Sequence, residues 1–372
     1  MVNLTTGGMS GGYLKYLRHL APIFLKSPDV ESATFYVHPD LIGNAGLKDL
    51  PLQTWPAGDH WSGYSELKNS LLSSKTDVVF VPSARWMSAG IIPTVVMVRN
   101  MEPIEVPFGG NPILEMVKNV GRAREARAAC RKAKRVIAVS HHVRDFIVSH
   151  WSLPAEKVGV VCHGVDAPFD TDEVPPMLKS LAAGNDFIFT AGSIRPARGL
   201  EDLIGALGIL AKSGQRPQCV IAGGVDYGMD FYRKKLERLA VSLGVDKQVF
   251  WAGSLSPQQM SWCYRRCTLF VMTTRAEACP NTALEAMAHG CLSVVTDKAP
   301  LPEFFKSAAL YYQAPHAPTL AARIQEALAA DAAEQHRLRN TGLELAAKFQ
   351  WSDTARRTLE ELQLAAGISE KS

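Results

Sequence analysis

The stretch LFVMTTRAEACPNTALEAMAHG, residues 269–290, decides the fold because it joins a strand, a loop and a helix. Its first part, LFVMTT (269–274), is largely apolar, which is typical of a buried parallel strand. A loop over 275–279 and a helix over 282–289 are predicted to follow, and Gly290 is placed to end that helix. A buried strand followed at once by a helix predicts an α/β protein with parallel sheets.

The same alternation of short β-branched runs and amphipathic segments extends over the whole chain. Acidic, Pro-rich residues 166–186 separate two such halves and predict a linker. We therefore expect two doubly wound α/β domains that face each other across a cleft, with ligands beyond the carboxyl ends of the strands. The further predicted strands are TFYVH (34–38), DVVFVP (77–82), TVVMV (94–98), RVIAVS (135–140), KVGVVC (157–162), FIFTAGS (187–193), CVIAGG (219–224), QVFWAG (248–253) and LSVVTD (292–297).

Composition excludes several classes of protein. The 372 residues are 47% hydrophobic, which fits folded cores, and nowhere do about 18 apolar residues run together as a transmembrane helix requires. The amino terminus lacks the basic and apolar regions of a secretory signal. Seven irregularly spaced cysteines do not predict a disulfide framework, and a net charge of +4 is too small to predict a nucleic-acid partner. We expect a cytoplasmic protein.

Two carboxylates flank the start of the helix predicted over 282–289. Glu277 lies in the preceding loop and Glu285 about one turn into the helix, so they would hold two different parts of one extended ligand. Pro280 suits the first helical turn, and Asn281 or Thr282 is predicted to cap it. Backbone N–H groups near this helix start would form a site for an anion or a hydroxyl group. Solvated surface acids are the alternative.

The stretch resembles the signature of the retaining nucleotide-sugar glycosyltransferases of family four. There a Glu is followed, after seven residues, by a second Glu, then Ala-Met-Ala and a Gly. The resemblance covers nearly the whole chain, because three further segments resemble family segments in the same order. They are SHHVRDFIVSHWSLPAEKVGVVCHGVD (140–166), AGSIRPARGLEDLIGAL (191–207) and FQWSDTARR (349–357). It implies the GT-B architecture, with domains at 1–165 and 187–348 and a helix over 349–372 that crosses back to the first domain.

The resemblance also implies roles for single residues. Glu277 would contact the donor sugar and Glu285 would hold the ribose hydroxyls of the nucleotide. The residues between them that would line the donor site are Ala278, Cys279, Pro280, Asn281 and Thr282. One acid for the sugar and one for the nucleoside would explain why both are present.

The segment AGSIRPARG, residues 191–199, is the candidate phosphate site. Guanidinium groups make charge-assisted, often bidentate bonds to phosphate, so Arg195 and Arg198 are predicted to hold the donor diphosphate. The family usually carries an Arg directly after the first Gly and a Lys just before the second, and this chain has Ser193 and Arg198 there. Arg195 is predicted to replace the missing Arg, with plain solvation of either Arg as the alternative.

Two further segments are expected to contribute contacts to the ligands. The resemblance implies that Gly11 and Gly12, at the end of GGMSGG (7–12), lie against the donor diphosphate or the acceptor. A plain tight turn is the alternative, and the strand before it looks short for the family. Many members carry a His after the strand that matches TVVMV, where this chain has Arg99 and Asn100. These two residues are predicted on the acceptor side.

A strongly basic segment runs from residue 118 to 135. On a helical wheel Arg124, Arg127, Arg131 and Lys134 share one face, next to an apolar stripe that would pack on a sheet. Members of the family that use lipid-linked acceptors often touch anionic membranes, so this face is a candidate for peripheral binding to the inner face of the cell membrane. A solvated basic face is the alternative.

Together these features predict a retaining glycosyltransferase that needs no metal or other cofactor. It would move a sugar from a nucleotide-sugar donor to a sugar, glycan or lipid-linked acceptor, in bacterial surface polysaccharide or glycolipid synthesis. Two alternatives stay open: a nucleotide-sugar epimerase of related fold, and a non-catalytic nucleotide-sugar binding protein. No acid–base residue stands out in the sequence, which is compatible with a leaving phosphate that takes the acceptor proton.

Overall fold

A computed structural model describes Met1 and residues 11–37, 50–54, 60–106, 110–181 and 186–368. Packing divides the chain into two compact units. The first unit consists of Met1–Ile104, Val117–Gly164 and Phe349–Ser372. The second consists of Glu105–Met116 and Val165–Lys348.

Strands and helices alternate along most of the chain. The strands are β1 (Phe35–Val37), β2 (Leu52–Thr54), β3 (Val79–Val81), β4 (Thr94–Val98), β5 (Arg135–Ala138), β6 (Val158–Val160), β7 (Phe187–Ala191), β8 (Gln218–Ala222), β9 (Val249–Gly253), β10 (Leu269–Met272), β11 (Ser293–Thr296) and β12 (Leu310–Tyr312). The helices are α1 (Gly11–Lys26), α2 (His60–Ser73), α3 (Glu102–Glu105), α4 (Ile113–Lys132), α5 (His141–Trp151), α6 (Leu200–Lys212), α7 (Asp230–Ser242), α8 (Pro257–Arg266), α9 (Asn281–Ala288), α10 (Leu301–Phe305), α11 (Ala317–Ala329), α12 (Ala332–Ala346) and α13 (Trp351–Ala366).

The second unit is built on a parallel sheet with the strand order β12-β11-β10-β7-β8-β9. All five residues of β7 are buried, as expected for a central strand covered by helices on both faces. The chain enters the sheet at β7, runs outward through β8 and β9, and then returns to place β10 on the other side of β7. The direction of winding therefore reverses between β7 and β10.

The first unit contains a parallel sheet with the order β3-β4-β5-β6, and β1 and β2 form a separate parallel pair. Helix α13 packs on this unit: Arg135 pairs with Glu361 at 2.5 Å, and the Thr354 hydroxyl donates to the Cys162 carbonyl at 2.8 Å. The Thr358 hydroxyl is also bonded to that of Tyr16, at 3.1 Å. The last helix of the chain is thus part of the first unit.

The predicted parallel α/β fold is confirmed in both units, and each strand predicted from the sequence is present. Strands β2 and β12 were not predicted, because neither is a buried strand: β2 is mostly exposed and β12 mostly half-buried. Helix α1 begins at Gly11, so the last two residues of GGMSGG (7–12) belong to this helix. Residues 7–10 and the strand expected before them lie outside the described residues.

The segment 166–186, predicted as a linker, packs on the second unit over its described part. The Phe169 N–H donates to the Ser261 hydroxyl at 3.0 Å, and Asp170 pairs with Arg265 at 2.8 Å. Leu178 is completely buried. These contacts make the segment an extension of the second unit.

Among the residues that the structure describes, no helix is both long and apolar enough to cross a membrane.

Candidate active site

The candidate site lies where the winding of the second sheet reverses. Strands β7 and β10 are parallel neighbours, so the loops that leave their carboxyl ends meet. The Arg275 N–H donates to the Ala197 carbonyl at 2.7 Å, and the Thr273 hydroxyl donates to the Arg198 carbonyl at 2.7 Å. The two loops are therefore fastened to each other at the point where an open α/β sheet binds its ligands.

Two glycines allow this close approach of the loops. Gly199 has φ +60°, and a Cβ there would lie 2.4 Å from the Thr273 carbonyl oxygen. Gly192 has φ +144°, and a Cβ there would lie 2.9 Å from Nε of Arg198. Both positions favour glycine through backbone conformation and through the lack of space. The glycines thus place the Arg198 side chain over the end of β7.

Arg198 and Glu277 form an ion pair between the two loops. The side chain of Glu277 is 13% exposed and that of Arg198 is 25% exposed, so the pair is largely withdrawn from water. Burial raises the pKa of Glu277 above its ordinary value, although the Arg198 charge and hydrogen bonds from Thr274 and Arg198 act in the opposite direction. The structure brings together two residues that the sequence predicted in separate motifs.

Glu285 lies on the outer face of α9. Its neighbours Ala283, Leu284, Ala286 and Met287 are buried, which leaves Glu285 on the partly exposed face with Asn281 and Thr282. The Tyr264 hydroxyl donates to Glu285 Oε2 at 3.1 Å. Sequence reasoning missed Tyr264, because nothing in its position in the chain links it to Glu285.

The predicted cap of this helix is wrong. The N-cap is Pro280, whose side chain has no oxygen to accept a hydrogen bond, and Asn281 is the first helical residue. Asn281 donates its N–H to the Cys279 carbonyl at 3.0 Å. Ala278 is 3% exposed and Cys279 is partly exposed, so the loop before the helix is packed rather than open.

Arg195 forms its ion pair with a different acid from the one that Arg198 pairs with. Arg195 pairs with Asp226 in the loop after β8, at 3.0 Å, and the adjacent Ile194 forms a parallel bridge with Val225. Ser193 is partly exposed. The role of Arg195 and Ser193 at a diphosphate stays a prediction.

The predicted acceptor-side residues lie in the first unit. Asn100 Oδ1 accepts the N–H of Glu102 at 3.1 Å and so holds the start of the short helix α3. The guanidinium of Arg99 lies 5.9 Å from the centre of the Tyr16 ring. Gly11 and Gly12 form the first turn of α1. These positions give each residue a structural role, and their contacts with a ligand stay predictions.

The basic face lies on and just after α4. Arg124, Arg127, Arg131 and Lys134 are all exposed, whereas Ala126, Cys130 and Ala133 are buried, as the helical wheel predicts. Val117, seven residues before Arg124, is 66% exposed. The helix therefore presents cations to solvent.

In the described part of the chain, no cluster of three or more His, Cys, Asp or Glu side chains could hold a metal ion. Asp170, the first acid of the Asp-Thr-Asp sequence at 170–172, pairs with Arg265. All seven cysteines are described, and each is a free thiol.

Comparison with known proteins decides the family. Residues 36–168 match the family described as Glycosyltransferase Family 4, and residues 179–344 match the family described as Glycosyl transferases group 1. The chain belongs to the family-four type of glycosyltransferases. This glycosyltransferase carries Arg198, Glu277 and Glu285 within the second matched region.

Relatives and solved structures agree with this assignment. The chain is 25% identical over 236 residues to the serotype-specific mannosyltransferase WbdA of Escherichia coli, across 62% of this chain and 28% of WbdA. It is 26% identical over 314 residues to D-inositol 3-phosphate glycosyltransferase 1 of Catenulispora acidiphila, across 79% and 74% of the two chains. The chain thus spans about a quarter of the length of WbdA.

The fold matches that of solved glycosyltransferases. Anabaena Alr3699/HepE, solved in complex with UDP-glucose, superposes with a TM-score of 0.78 at 16% identity, over 98% of this chain and 99% of that one. This likeness, together with the two parallel-sheet units, confirms the predicted GT-B fold class.

The raised pKa of Glu277 predicts a pH-dependent cost in stability. A carboxyl whose folded pKa lies above its unfolded pKa destabilises the fold when it ionises, so this cost is absent below the unfolded pKa and grows as pH rises through the folded pKa. We expect the free energy of unfolding of Glu277→Gln, relative to the unmodified protein, to increase from pH 4 to pH 7. Urea unfolding at several pH values measures this difference. A difference that falls with pH would contradict the raised pKa.

Proposed function

We propose that this protein transfers a sugar from a nucleotide-sugar donor to an acceptor with retention of configuration. The partly buried Arg198–Glu277 pair at the switch point of the second sheet carries the proposal. It places a cation and a carboxylate side by side at the expected ligand position of a chain that belongs to a glycosyltransferase family. Donors of the hexosyl type are supported by the relatives, one of which is named a mannosyltransferase.

Each residue of the pair would act on a different part of the donor. Cleavage of the sugar–phosphate bond leaves negative charge on the diphosphate, and a fixed cation stabilises charge where it develops. Arg198 uses Nη1 for Glu277, and a guanidinium carries five N–H donors, so the same side chain can also meet phosphate oxygens. Glu277, oriented by Arg198 and Thr274, would contact the donor sugar. Glu285 would accept hydrogen bonds from the ribose hydroxyls.

No protein base is needed in this scheme. The departing phosphate oxygen takes the proton of the acceptor hydroxyl as the new glycosidic bond forms on the same face of the sugar. Arg198 lowers the energy of that phosphate without removing its capacity to accept a proton. Arg195 pairs with Asp226 through Nη1, and it would meet the diphosphate with other N–H groups of the same guanidinium.

Substitution of the two acids tests the assignment of roles. Glu285→Ala should weaken binding of the free nucleoside diphosphate by about 1.5–3 kcal/mol, the usual value for a hydrogen bond to a charged group. Glu277→Ala should remove most turnover while the nucleoside diphosphate still binds. Calorimetry with UDP, GDP and ADP, and product analysis with a panel of nucleotide sugars, measure both effects. Unchanged nucleotide affinity in Glu285→Ala would contradict the proposal, and release of an epimer without transfer would indicate an epimerase.

The proposed reaction uses Arg198 in place of a divalent metal to neutralise the diphosphate. Transfer should therefore continue in excess EDTA, at close to the rate without chelator. The matched control is the same assay with added Mn²⁺, which should change the rate little. A complete loss in EDTA that Mn²⁺ restores would show that a metal takes the role assigned to Arg198.

We further propose that the exposed cations of α4 and the following turn bind an anionic membrane surface, where a lipid-linked acceptor is found. The neighbouring alanines are buried, so the helix is fixed with its charged face outward. Each cation near an anionic bilayer contributes about 1 kcal/mol, and salt screens this attraction. The serotype-specific relative supports an acceptor in surface polysaccharide synthesis.

Vesicle co-sedimentation tests the membrane proposal. The unmodified protein should bind vesicles that contain anionic lipid and release from them at high salt. A variant with four cations changed to Gln should bind these vesicles at least about tenfold more weakly, because several kcal/mol of attraction is removed. The four changed residues are Arg124, Arg127, Arg131 and Lys134. Four Gln substitutions at exposed residues of other elements (Lys234, Arg238, Lys247 and Arg266) are the matched control. Equal binding by both variants, or equal binding to neutral vesicles, would favour a soluble acceptor.

A further inference from the structure

Tyr264 is a buried side chain that the proposed chemistry does not use. It lies on α8, is 2% exposed, and points its hydroxyl at α9. There the hydroxyl lies 3.1 Å from Glu285 Oε2 and 3.3 Å from the Thr282 carbonyl oxygen. A tyrosine hydroxyl donates a single hydrogen, and the charged carboxylate is the stronger acceptor of the two. The hydrogen bond therefore fixes one oxygen of Glu285.

The tyrosine ring is itself held in place by other rings. Phe189 packs edge-on against it with centroids 5.1 Å apart, and Phe270 lies 5.7 Å away. The His289 ring lies on a further side at 4.9 Å. Burial, followed by the negative charge of Glu285, raises the pKa of Tyr264 well above its ordinary value. The phenol thus stays protonated and remains a donor at any physiological pH.

A second chain of hydrogen bonds, which begins at Ser261 of α8, anchors the backbone of Glu285. His289 Nδ1 lies 2.7 Å from the Glu285 carbonyl oxygen, and Nε2 lies 2.7 Å from the Ser261 hydroxyl. A carbonyl only accepts, so Nδ1 carries the hydrogen. Ser261 in turn accepts the N–H of Phe169 at 3.0 Å. Helix α8 therefore holds both the carbonyl and the carboxylate of this residue.

We propose that Tyr264 is a positioning residue that presets the Glu285 carboxylate for the ribose hydroxyls of the nucleotide. The inference rests on the proposed function, since it assigns Glu285 to the ribose. With Oε2 held by Tyr264, the rotation of the carboxylate is fixed before the nucleotide arrives. Binding then costs less conformational entropy than it would with a freely rotating glutamate. Tyr264 itself acts through Glu285.

A double-mutant cycle tests this role. The proteins are the unmodified chain, Tyr264→Phe, Glu285→Ala and the combination of both, and the probe is whichever of UDP, GDP and ADP binds the unmodified chain most tightly. Tyr264→Phe keeps the ring and removes only the hydroxyl, so Kd measured by calorimetry should rise by about five- to tenfold. In the Glu285→Ala background the same change should alter Kd by less than about twofold, because the acceptor is absent.

A second buried tyrosine of the same unit supplies the matched control. The Tyr312 hydroxyl donates to Asp202 Oδ2 at 3.0 Å, so Tyr312→Phe also removes a buried tyrosine–carboxylate hydrogen bond. It should lower the melting temperature and leave the nucleotide Kd unchanged. Tyr264→Phe should instead change the Kd, whatever its effect on the melting temperature.

The outcomes separate the inference from the proposed function. If Glu285→Ala weakens binding but Tyr264→Phe does not, the positioning role is wrong and the role of Glu285 stands. If Tyr264→Phe weakens binding equally in both backgrounds, Tyr264 acts independently of Glu285 and the positioning role is again wrong. If Glu285→Ala leaves the Kd unchanged for all three nucleotides, the proposed function fails and the inference fails with it.

Discussion

The site depends on one constraint of topology, the reversal of winding between β7 and β10. A parallel sheet that is wound outward in one direction and then in the other leaves two neighbouring strands whose carboxyl ends border one crevice, where ligands bind. In the second unit those loops carry Arg198 and Glu277, which are 79 residues apart in the chain. Two glycines remove the side chains that would keep the loops apart. The ion pair is therefore a consequence of strand order.

The electrostatics of the pair favour function over stability. Burial of a charged pair costs solvation energy that the mutual attraction repays only in part. The raised pKa of Glu277 records this balance, because burial outweighs the Arg198 charge. By contrast, Asp202 of the same unit pairs with Arg275 at 2.7 Å and also accepts a hydrogen bond from the Tyr312 hydroxyl, which joins α6 to β12. A costly pair that lies at the ligand position is better explained by a ligand than by folding.

The sequence predicted the parts of the fold that depend on local pattern. Runs such as FIFTA and TVVMV are apolar except for one threonine each, so they predict buried parallel strands. Strands β2 and β12 lie at sheet edges with mostly half-buried or exposed residues, so the criterion for a buried strand does not identify them. The motif over 277–290 located α9 to within one residue at each end, but its cap depends on backbone angles at Pro280, which residue types alone do not fix.

Side-chain contacts between elements that are distant in the chain could not be predicted from the sequence. Arg195 and Arg198 are the same residue type in the same loop, so the sequence does not distinguish their partners. In the structure Arg195 pairs with Asp226 and Arg198 pairs with Glu277. Only the course of the loop after β8 decides this, through the bridge between Ile194 and Val225. The replacement of the family's Arg by Arg195, next to Ser193, stays a prediction. The cation that the proposed function places at the diphosphate is Arg198, because its side chain lies directly against Gly192 at the end of β7 and beside Glu277.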